Sequence, residues 1–468
     1  MIKKTKIVAT IGPATETEEI LKELIKAGMN VARFNTKHSH PDWHNERLKR
    51  VRKVSKELDI PVATLLDLQG PEVRINLPNE TPFKLNAGQT ATFTSNEDSS
   101  DDNIILIPQD VIESLSVDNI VLLADGSCEF VITKKGKDYF KAEAIHECLV
   151  EHRKTMNTPG VVLDMPALTK RDFEYLDGVS PELIDFIGLS FVRDAGDVTH
   201  LRKQLEKRNI KAKIIAKIEN QAAIDNLDEI IAVADVIMIA RGDLGVEIPY
   251  QELTYWQKQM INKCRQAAKP VITATQMLKS MVTQPRPTRA EVSDVAHAIY
   301  DGTDAVMLSE ETTIGEYPVR AVETQAAIAL FNEPFTTYNL TVEHDEDFTA
   351  SITHSAINFV RHSVIQIDKI VVLTESGKTA RLLSRFRPNV PIVAVTSTLS
   401  TYKELTLSYN IIPRIINMKD DQVLSSDQLV EALLKEKVVK SGEVILLIHG
   451  KRWKKTGFTN TMSIVEIK

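Results

Sequence analysis

Short runs of Val, Ile, Ala and other apolar residues recur along the chain, and each run is followed by a segment with helical spacing of apolar positions. Such alternation predicts strands and helices in turn. Strands that are apolar on both faces are typical of parallel sheets covered by helices. Eight runs of this kind favour a closed (β/α)8 barrel, a TIM barrel, over an open sheet. They are KIVATIG, NVARFN, PVATLLDL, FIGLSFV, KIIAKIE, VIMIAR, PVITATQ and DAVMLSE.

The helical pattern stops between Asp67 and Phe186, where the short runs TATFTS, NIVLLAD and EFVITKK are separated by turn-rich stretches. This alternation predicts antiparallel strands. A new strand and helix series begins near residue 337 and includes IVVLT, PIVAVT and EVILLIHG. The predicted fold class is α/β, with a barrel formed by residues 1–70 and 167–336, an inserted small β-barrel-like domain over residues 71–166, and a C-terminal α/β domain over residues 337–468.

Composition adds limits to this picture. The 468 residues are too many for one compact core, and 43% hydrophobic with 26% charged residues is typical of a soluble globular protein. A formal net charge of −7 disfavours nucleic acid as a partner. The first residues contain only a brief apolar run, which predicts neither a signal peptide nor a membrane span. The three cysteines lack metal-site spacing. We expect a cytoplasmic protein.

Polar residues follow the predicted barrel strands where each strand ends. In this fold these ends meet at one mouth, where active sites are built. A single polar strand end is usually a solvated edge, but a series of them predicts a common site. The insertion leaves the barrel at the same mouth and is placed to act as a lid. The series comprises Thr10, Arg33, Asn35, Asp67, Ser190, Lys217, Glu219, Arg241, Asp243, Thr275, Ser309 and Glu311.

The residue types at these ends indicate a chemistry. Glu219 and Asp243 offer hard oxygen ligands that suit Mg²⁺ or Mn²⁺ better than zinc. Lys217 precedes Glu219 by two positions and should point to the same side of its strand. Arg33 and the amides of the turn at Gly242 would hold phosphate and carboxylate oxygens. Because phosphoryl transfer depends mainly on positioning and charge neutralisation, the set favours that reaction class.

Several long stretches resemble the pyruvate kinase family over nearly the whole chain: TKIVATIGPAT, NVARFN, GPEVR, IIAKIEN, ARGDLGVEIP, ATQMLKSM, PRPTRAEVSDVAHAIYDGTDAVMLS and GFTNTM. The resemblance implies a glycolytic phosphotransferase that moves the phosphoryl group of phosphoenolpyruvate to ADP and gives pyruvate and ATP. It also implies a homotetramer that uses Mg²⁺ or Mn²⁺.

By the same resemblance, Lys217 would neutralise the phosphoryl group in transfer and the enolate, and Arg33 would grip the phosphate. Glu219 and Asp243 would hold the divalent metal, while the amides of Gly242 and Asp243 would bind the substrate carboxylate.

Further residues are assigned by motif. Thr275 and Ser309 would lie where enolpyruvate is protonated, and Asp125 of the insertion would meet the nucleotide when the lid closes. The nucleotide-facing residues would be Asn35, His38, Arg74 and Lys170.

The chain departs from the family around its monovalent-cation site, where Asn, Ser and Asp side chains commonly coordinate K⁺. Lys37 occupies the serine position, and the Leu-Gln pair after Asp67 resembles a branch that works without K⁺. That branch typically has lysine where this chain has Glu72. We therefore predict that Lys37, reaching between Asn35 and Asp67, acts as a tethered cation and that K⁺ is not required. The alternative is a solvated loop lysine.

Two other departures are of opposite charge. Lys279 replaces a family glutamate and Glu310 a family glycine, just beyond the seventh and eighth strands. Because those strands are neighbours in a barrel, we predict an ion pair between the two residues.

The stretch TESGKTA mimics a phosphate-binding P-loop, but Val372 stands where its first glycine should be. A phosphorylated effector is the better hypothesis, because the family binds sugar phosphates at the matching loop. The family's Gly-rich segment is replaced by basic residues 451–455, which puts that binding in doubt. The predicted effector residues are Thr374, Ser376, Lys378 and Thr379.

Two alternatives stay open. Another metal-dependent barrel enzyme acting on phosphoenolpyruvate or pyruvate, such as a lyase, would not require the insertion or the C-terminal region. A catalytically weakened paralogue that binds metabolites as a regulator is favoured by Lys37, Lys279 and Glu310. The intact Lys217 and Thr275 argue against it.

Overall fold

A computed structural model describes residues 3–97, 103–336, 338, 340–342, 347–416, 425–450 and 459–468. Eight parallel strands close into a barrel, and each of them coincides with one of the predicted apolar runs. The predicted (β/α)8 barrel is therefore confirmed. Its strands are β1 (Lys6–Thr10), β2 (Val31–Asn35), β3 (Ala63–Asp67), β12 (Phe186–Leu189), β13 (Lys213–Ile218), β14 (Val236–Ala240), β15 (Val271–Ala274) and β16 (Ala305–Leu308).

Helices surround the barrel and begin and end at residues suited to those positions. Thr169 and Thr288 each form a capping box, which satisfies amides of the first helical turn. Gly302 ends a helix with φ 92°, a left-handed conformation that favours glycine. The helices are α1 (Glu18–Ala27), α2 (Pro41–Leu58), α4 (Lys170–Gly178), α5 (Ala195–Lys207), α6 (Gln221–Asp225), α7 (Leu227–Val233), α8 (Arg241–Glu247), α9 (Leu253–Gln266), α10 (Arg289–Asp301), α11 (Glu310–Thr313) and α12 (Pro318–Asn332).

The insertion after β3 is built from β4 (Phe83–Leu85), β5 (Thr90–Thr94), β6 (Ile104–Leu106), β7 (Ile120–Leu123), β8 (Cys128–Lys135), β9 (Tyr139–Ala144), β10 (Cys148–Val150) and β11 (Met156–Asn157), with helix α3 (Gln109–Ser114). One sheet has the order β11-β7-β8-β9-β5-β6, and β10 pairs with β4. Phe93 stacks on Phe140 with ring centroids 4.7 Å apart in a core of its own. A separate core allows this part to move as a unit over the barrel mouth.

The C-terminal sheet has the order β19-β18-β17-β20-β21, with β21 antiparallel to β20. Its strands are β17 (Lys369–Leu373), β18 (Ile392–Thr396), β19 (Ile411–Ile415), β20 (Val444–Gly450) and β21 (Thr459–Glu466). Its helices are α13 (Phe348–His362), α14 (Lys378–Ser384), α15 (Leu399–Glu404) and α16 (Ser426–Lys435).

A buried ion pair joins this sheet region to the barrel. Arg387 Nη2 lies 2.7 Å from Asp304 Oδ2, and the Tyr409 amide donates to Asp304 Oδ1. Arg387 also donates to the Gly302 carbonyl. These contacts fix the C-terminal region against the amino-terminal end of β16. Within the described ranges, no helix has the length and apolar character needed to cross a membrane.

Candidate active site

Strand β13 places Lys217 at the centre of the barrel mouth. Its ammonium lies 2.9 Å from Glu219 Oε1 and 3.5 Å from Asp67 Oδ1, and it donates to Ser190 Oγ at 2.7 Å. Burial disfavours the charged form, but the charges of Asp67 and Glu219 outweigh it and raise the pKa of Lys217 above its ordinary value. The side chain is therefore a fixed cation.

Arg33 reaches the same point from β2. Its Nε and Nη2 lie 2.7 and 2.6 Å from Asp67 Oδ2, and its Nη1 donates to Thr10 Oγ1. Burial alone would raise the pKa of Asp67, yet Lys217 and Arg33 together hold that pKa below its usual value. Asp67 thus aligns two cations on one carboxylate, and this convergence suits an anionic substrate.

Two carboxylates flank Lys217. The Glu219 Oε2 atom accepts a hydrogen bond of 2.6 Å from the Phe191 amide, and burial raises the pKa of Glu219 to about 7. Burial also raises the pKa of Asp243, and the nearby charge of Glu72 adds to this effect. Among the described residues, no group of three or more His, Cys, Asp or Glu is arranged to hold a metal.

This donor set fits a divalent ion nonetheless. The buried Glu219 and the half-buried Asp243, both with raised pKa values, gain from a cation between them, and their hard oxygens suit Mg²⁺ or Mn²⁺. Since Mg²⁺ commonly takes only one or two carboxylates from a protein, its other positions would be left to substrate oxygens and water.

Thr275 follows β15 with a strained backbone. Its φ of 68° lies in the left-handed region, which is unusual for a β-branched residue. Its Oγ1 accepts a hydrogen bond from the Gly242 amide at 2.7 Å and donates to the Ala274 carbonyl. A substrate carboxylate that binds the Gly242 amide must therefore replace Thr275 Oγ1.

Arg241 holds Thr275 in place, a function that the sequence did not reveal. Its guanidinium makes two hydrogen bonds of 2.6 and 2.7 Å to Asp294 on α10 and donates to the Thr275 carbonyl at 2.7 Å. Arg241 is only 8% exposed, yet it still lines the barrel mouth. Sequence spacing could not pair Arg241 with Asp294, because 53 positions separate them.

A cavity of about 500 Å³ opens at the mouth and is lined by Gly242, Asp243, Thr275 and Ser309, together with Asp125 of the lid. The structure therefore brings the predicted substrate residues of three strand ends to one space.

Lys279 and Glu310 line the same cavity. Lys279 Nζ lies 3.4 Å from Glu310 Oε2, so the predicted ion pair is confirmed. Its two side chains are 60% and 55% exposed, which places the pair at the solvent edge of the mouth.

The Lys37 ammonium lies 2.7 Å from Glu72 Oε1, and Arg74 Nε holds the other Glu72 oxygen at 2.8 Å. The Asn35 side chain accepts a hydrogen bond from the Lys37 backbone amide. The ion pairs of Asp67 are made with Arg33 and Lys217. The Lys37 ammonium therefore pairs with Glu72 instead of reaching between Asn35 and Asp67, so the expected position of this side chain was wrong, although its charge acts to lower the pKa of Asp243.

The other expected nucleotide residues lie at the rim. His38 and Lys170 are exposed, and partial burial with the charge of Lys37 lowers the pKa of His38. Arg171 fixes this rim by donating to the Thr36 and Ser39 carbonyls at 2.9 Å. Sequence reasoning missed Arg171, which follows Lys170 and directs its guanidinium into the loop after β2.

The predicted effector residues lie in the loop after β17 and at the start of α14. Lys378 Nζ lies 2.7 Å from Asp347, and Thr379 Oγ1 lies 3.1 Å from Thr459 Oγ1. Thr374 is buried after β17, and Ser376 lies in the following loop. The basic segment 451–455 lies outside the described residues.

Comparisons with known proteins agree with this geometry. The family model "Pyruvate kinase, barrel domain" matches residues 2–322, and "Pyruvate kinase, alpha/beta domain" matches residues 350–465. A pyruvate kinase of Sporosarcina psychrophila is 41% identical over 482 residues, covering 99% of this chain and 80% of the relative. One of Staphylococcus aureus is 39% identical over 472 residues, with the same coverage.

A crystal structure of a pyruvate kinase from Cryptosporidium parvum superposes on the chain with a TM-score of 0.91 at 33% identity, covering 100% of this chain and 96% of that one. The family models, the relatives and the superposed structure thus all indicate the same family over nearly the whole chain. The chain belongs to the pyruvate kinase family of phosphotransferases.

Proposed function

We propose that this protein transfers the phosphoryl group of phosphoenolpyruvate to ADP and yields pyruvate and ATP. One observation carries the proposal: the charged Lys217 and Arg33 share the Asp67 carboxylate at the barrel mouth, with Glu219 at 2.9 Å from the Lys217 ammonium. Two cations beside a carboxylate pair match what phosphoryl transfer needs, namely neutralisation of a charge that moves between oxygens.

The substrate would lie across the cavity at the mouth. Arg33 and Lys217 bind the phosphate, and Lys217 then stabilises the enolate left behind. The amides of Gly242 and Asp243 bind the carboxylate. Thr275, whose hydroxyl now satisfies the Gly242 amide, orients the face at which the enolate takes its proton.

Ser309 completes this proton-donating face. It lines the cavity, and its amide donates to the buried Glu311 carboxylate at 2.7 Å, which fixes the loop. Glu219 and Asp243 hold the divalent cation, which when bound offsets charge on the transferred group.

ADP would enter along the rim formed by the loop after β2 and the start of α4. Asn35, His38, Arg74 and Lys170 face it there. Arg74 is held by Glu72, which turns its guanidinium along the insertion, and Asp125 approaches from the lid.

The monovalent cation of the family is replaced by Lys37, so K⁺ is not required. Support comes from the Lys37 ammonium at 2.7 Å from Glu72 and from its effect on the pKa of Asp243. A side-chain ammonium supplies the same single charge as K⁺ without a binding equilibrium.

Four further points stay predictions. They are the domain boundaries at residues 70/71, 166/167 and 336/337, the cytoplasmic location, the homotetramer and a phosphorylated effector at Thr374–Thr379. The comparisons favour neither the lyase nor the weakened paralogue.

An assay of pyruvate formation from phosphoenolpyruvate with Mg²⁺, with and without ADP, tests the function. We expect pyruvate only when ADP is present, with one ATP formed for each pyruvate. Pyruvate formed without ADP would indicate another reaction, and phosphoenolpyruvate binding without turnover would indicate the regulator. The Lys217→Gln variant should be inactive, whereas Lys213→Gln on the same strand should keep its activity.

A further inference from the structure

Helix α8 contacts both the catalytic mouth and the lid. Its first turn contains Gly242 and Asp243, the residues expected to bind the substrate carboxylate and the divalent cation. Its last residue is Glu247, whose Oε1 accepts a hydrogen bond of 2.8 Å from the side-chain amide of Asn157. Asn157 belongs to β11 of the lid and lies 90 positions earlier in the chain. We call this contact the lid latch.

The lid latch is connected to the part of the lid that reaches the mouth. Asn157 pairs with Leu122 of β7, and the chain runs from β7 into the turn at Asp125. Thr155, just before β11, accepts from the Ala124 amide at 3.0 Å and donates through its hydroxyl to Asp125 Oδ1 at 3.2 Å. Asp125 lines the mouth cavity. The position of Asn157 therefore sets the position of Asp125.

The boundary between the lid and the barrel is not fully packed beside the lid latch. A space of about 160 Å³ lies there, and Asn157 and Glu247 both belong to its lining. Val162 of the lid also lines it and is 58% exposed. Because apolar contacts are incomplete at this place, hydrogen bonds contribute more to the attachment of the lid.

Two further contacts attach the lid beside the points where the chain enters and leaves it. Lys37 pairs with Glu72 at 2.7 Å near the first point. Arg193 Nη1 donates to the carbonyls of Leu163 and Met165 at 3.2 and 2.8 Å near the second. Contacts at a hinge hold two parts together but do little to fix the angle between them. The lid latch is the contact that ties the strand next to the Asp125 turn.

The Glu247 carboxylate depends on neutral donors from the lid. Among the described residues no cation is paired with it, and its hydrogen bonds come from Asn157 and from the Thr158 amide. Burial raises the pKa of Glu247, and these two hydrogen bonds counter that effect. A partly buried carboxylate that loses its donors is destabilised. Glu247 therefore favours the lid position in which both donors reach it.

We propose that Glu247 is a positioning residue for phosphoryl transfer, because its hydrogen bond with Asn157 holds the lid over the mouth. In the proposed function, on which this assignment depends, Asp125 meets the nucleotide from the lid. The Gly242 amide that binds the substrate carboxylate lies on the same short helix, so one helix contacts both the substrate and the lid. While the lid is held, water is kept from the transferred group.

Steady-state kinetics of the full chain compares wild type with Asn157→Ala, Glu247→Ala, Glu247→Gln and Glu252→Ala. Glu252 is exposed and accepts from Trp256, so its variant is the matched control and should behave as wild type. We expect the first two variants to lower kcat/KM for ADP about tenfold, the loss of one hydrogen bond to a charged group. KM for phosphoenolpyruvate should change by less than about twofold, because its phosphate and carboxylate contacts remain.

Two more variants show whether the effect belongs to this hydrogen bond. Glu247→Gln keeps an acceptor for Asn157 and should stay within about threefold of wild type. The double variant Asn157→Ala/Glu247→Ala should lose no more than either single variant, because both remove the same contact. Asn157→Ala lies in the lid and still tests the contact if Glu247→Ala does not fold.

A distance measurement reads the lid position without the reaction. Spin labels are attached at Lys134→Cys on β8 of the lid and Lys203→Cys on α5 of the barrel, both exposed positions, whereas the native Cys128, Cys148 and Cys264 are buried. Electron paramagnetic resonance should give a broader distribution of label distances in Asn157→Ala than in wild type or Glu252→Ala.

Asn157→Ala with the wild-type distribution of distances, or with the wild-type kcat/KM for ADP, would overturn the proposal. Losses that add in the double variant would overturn it as well. A wild-type protein that forms no pyruvate from phosphoenolpyruvate and ADP would instead refute the proposed function, and the label distances would still show whether the lid latch holds the lid.

Discussion

The ammonium of Lys37 lies 2.7 Å from Glu72 Oε1, at a position where the family commonly has a neutral serine. Arg74 holds the second oxygen of the same carboxylate. Glu72 thus joins the loop after β2 to the start of the insertion and keeps a cation tied beside the barrel mouth. The proposal that Lys37 replaces a monovalent cation depends on this ion pair.

Under the proposal that Lys37 supplies the monovalent charge, initial rates should be equal, within about twofold, in K⁺, Na⁺ and tetramethylammonium salts at one ionic strength. The Lys37→Ser variant should lose activity in tetramethylammonium and recover it in K⁺. Its rate in K⁺ should exceed its rate in tetramethylammonium about tenfold or more, which corresponds to the free energy of one favourable charge contact. Lys49→Ser, on the exposed face of α2, is the control and should behave as wild type. A strong K⁺ activation of the wild-type enzyme would contradict the idea.

Glu219→Gln should weaken divalent-cation binding by at least about tenfold, since it removes one of the two carboxylate charges. The binding of Mn²⁺ to the protein without substrate, followed by electron paramagnetic resonance, measures this separately from turnover. Glu229→Gln, an exposed carboxylate on α7, serves as the control. Unchanged Mn²⁺ affinity in Glu219→Gln would exclude Glu219 as a ligand.

Asp294→Asn should lower kcat about tenfold, although Asp294 does not line the mouth cavity. The change weakens the two hydrogen bonds that hold Arg241, and Arg241 holds the strained backbone of Thr275. KM for phosphoenolpyruvate should change less than kcat. The reason is that Arg33 and Lys217, which bind the phosphate in the proposed function, stay in place. A tenfold rise in KM with unchanged kcat would argue against a positioning function for Arg241 and Asp294.

The two ion pairs Arg387–Asp304 and Lys279–Glu310 should differ in their effect on stability. The first is 2% and 4% exposed and joins the C-terminal region to the barrel, so Arg387→Gln should cost about 3–5 kcal/mol by leaving a buried charge. The second is exposed, so Lys279→Gln should stay within about 1 kcal/mol of wild type. Chemical denaturation of both variants measures the difference; equal losses would contradict it.

His44 should make the barrel sensitive to acid. Its ring is 1% exposed and packs edge-on against Trp43 and Tyr175, and this burial lowers the pKa of His44 to about 4. Below pH 6.5 the unfolded chain takes up the proton while the folded chain does not. Folding free energy is therefore lost as the pH falls from about 6.5 to about 4, up to about 3 kcal/mol in total, and the loss levels off below that range.

The His44→Gln variant tests this sign. It should be less stable than wild type at pH 7.5, but the difference should shrink as the pH falls toward 4, because only wild type carries the histidine penalty. Unfolding midpoints in urea across this range report the effect. A difference that stays constant with pH would contradict the assignment to His44.

The sequence by itself determined the barrel and the composition of its mouth. Apolar runs followed by helical segments specify parallel strands covered by helices, and the common direction of those strands brings Lys217, Glu219 and Asp243 to one end. The Lys279–Glu310 pair followed from the same rule, because neighbouring strands end side by side. Helix α3 of the insertion escaped prediction, since six residues are too few to show a helical period.

Only the tertiary structure determined which ion pairs and hydrogen bonds the charged side chains form. Lys37 pairs with Glu72, Arg241 with Asp294 across 53 positions and Lys378 with Asp347. The physical reason is that a long charged side chain has several partners within reach. The balance of desolvation and hydrogen bonding in the folded protein selects among them, and this balance depends on burial that spacing along the chain does not encode.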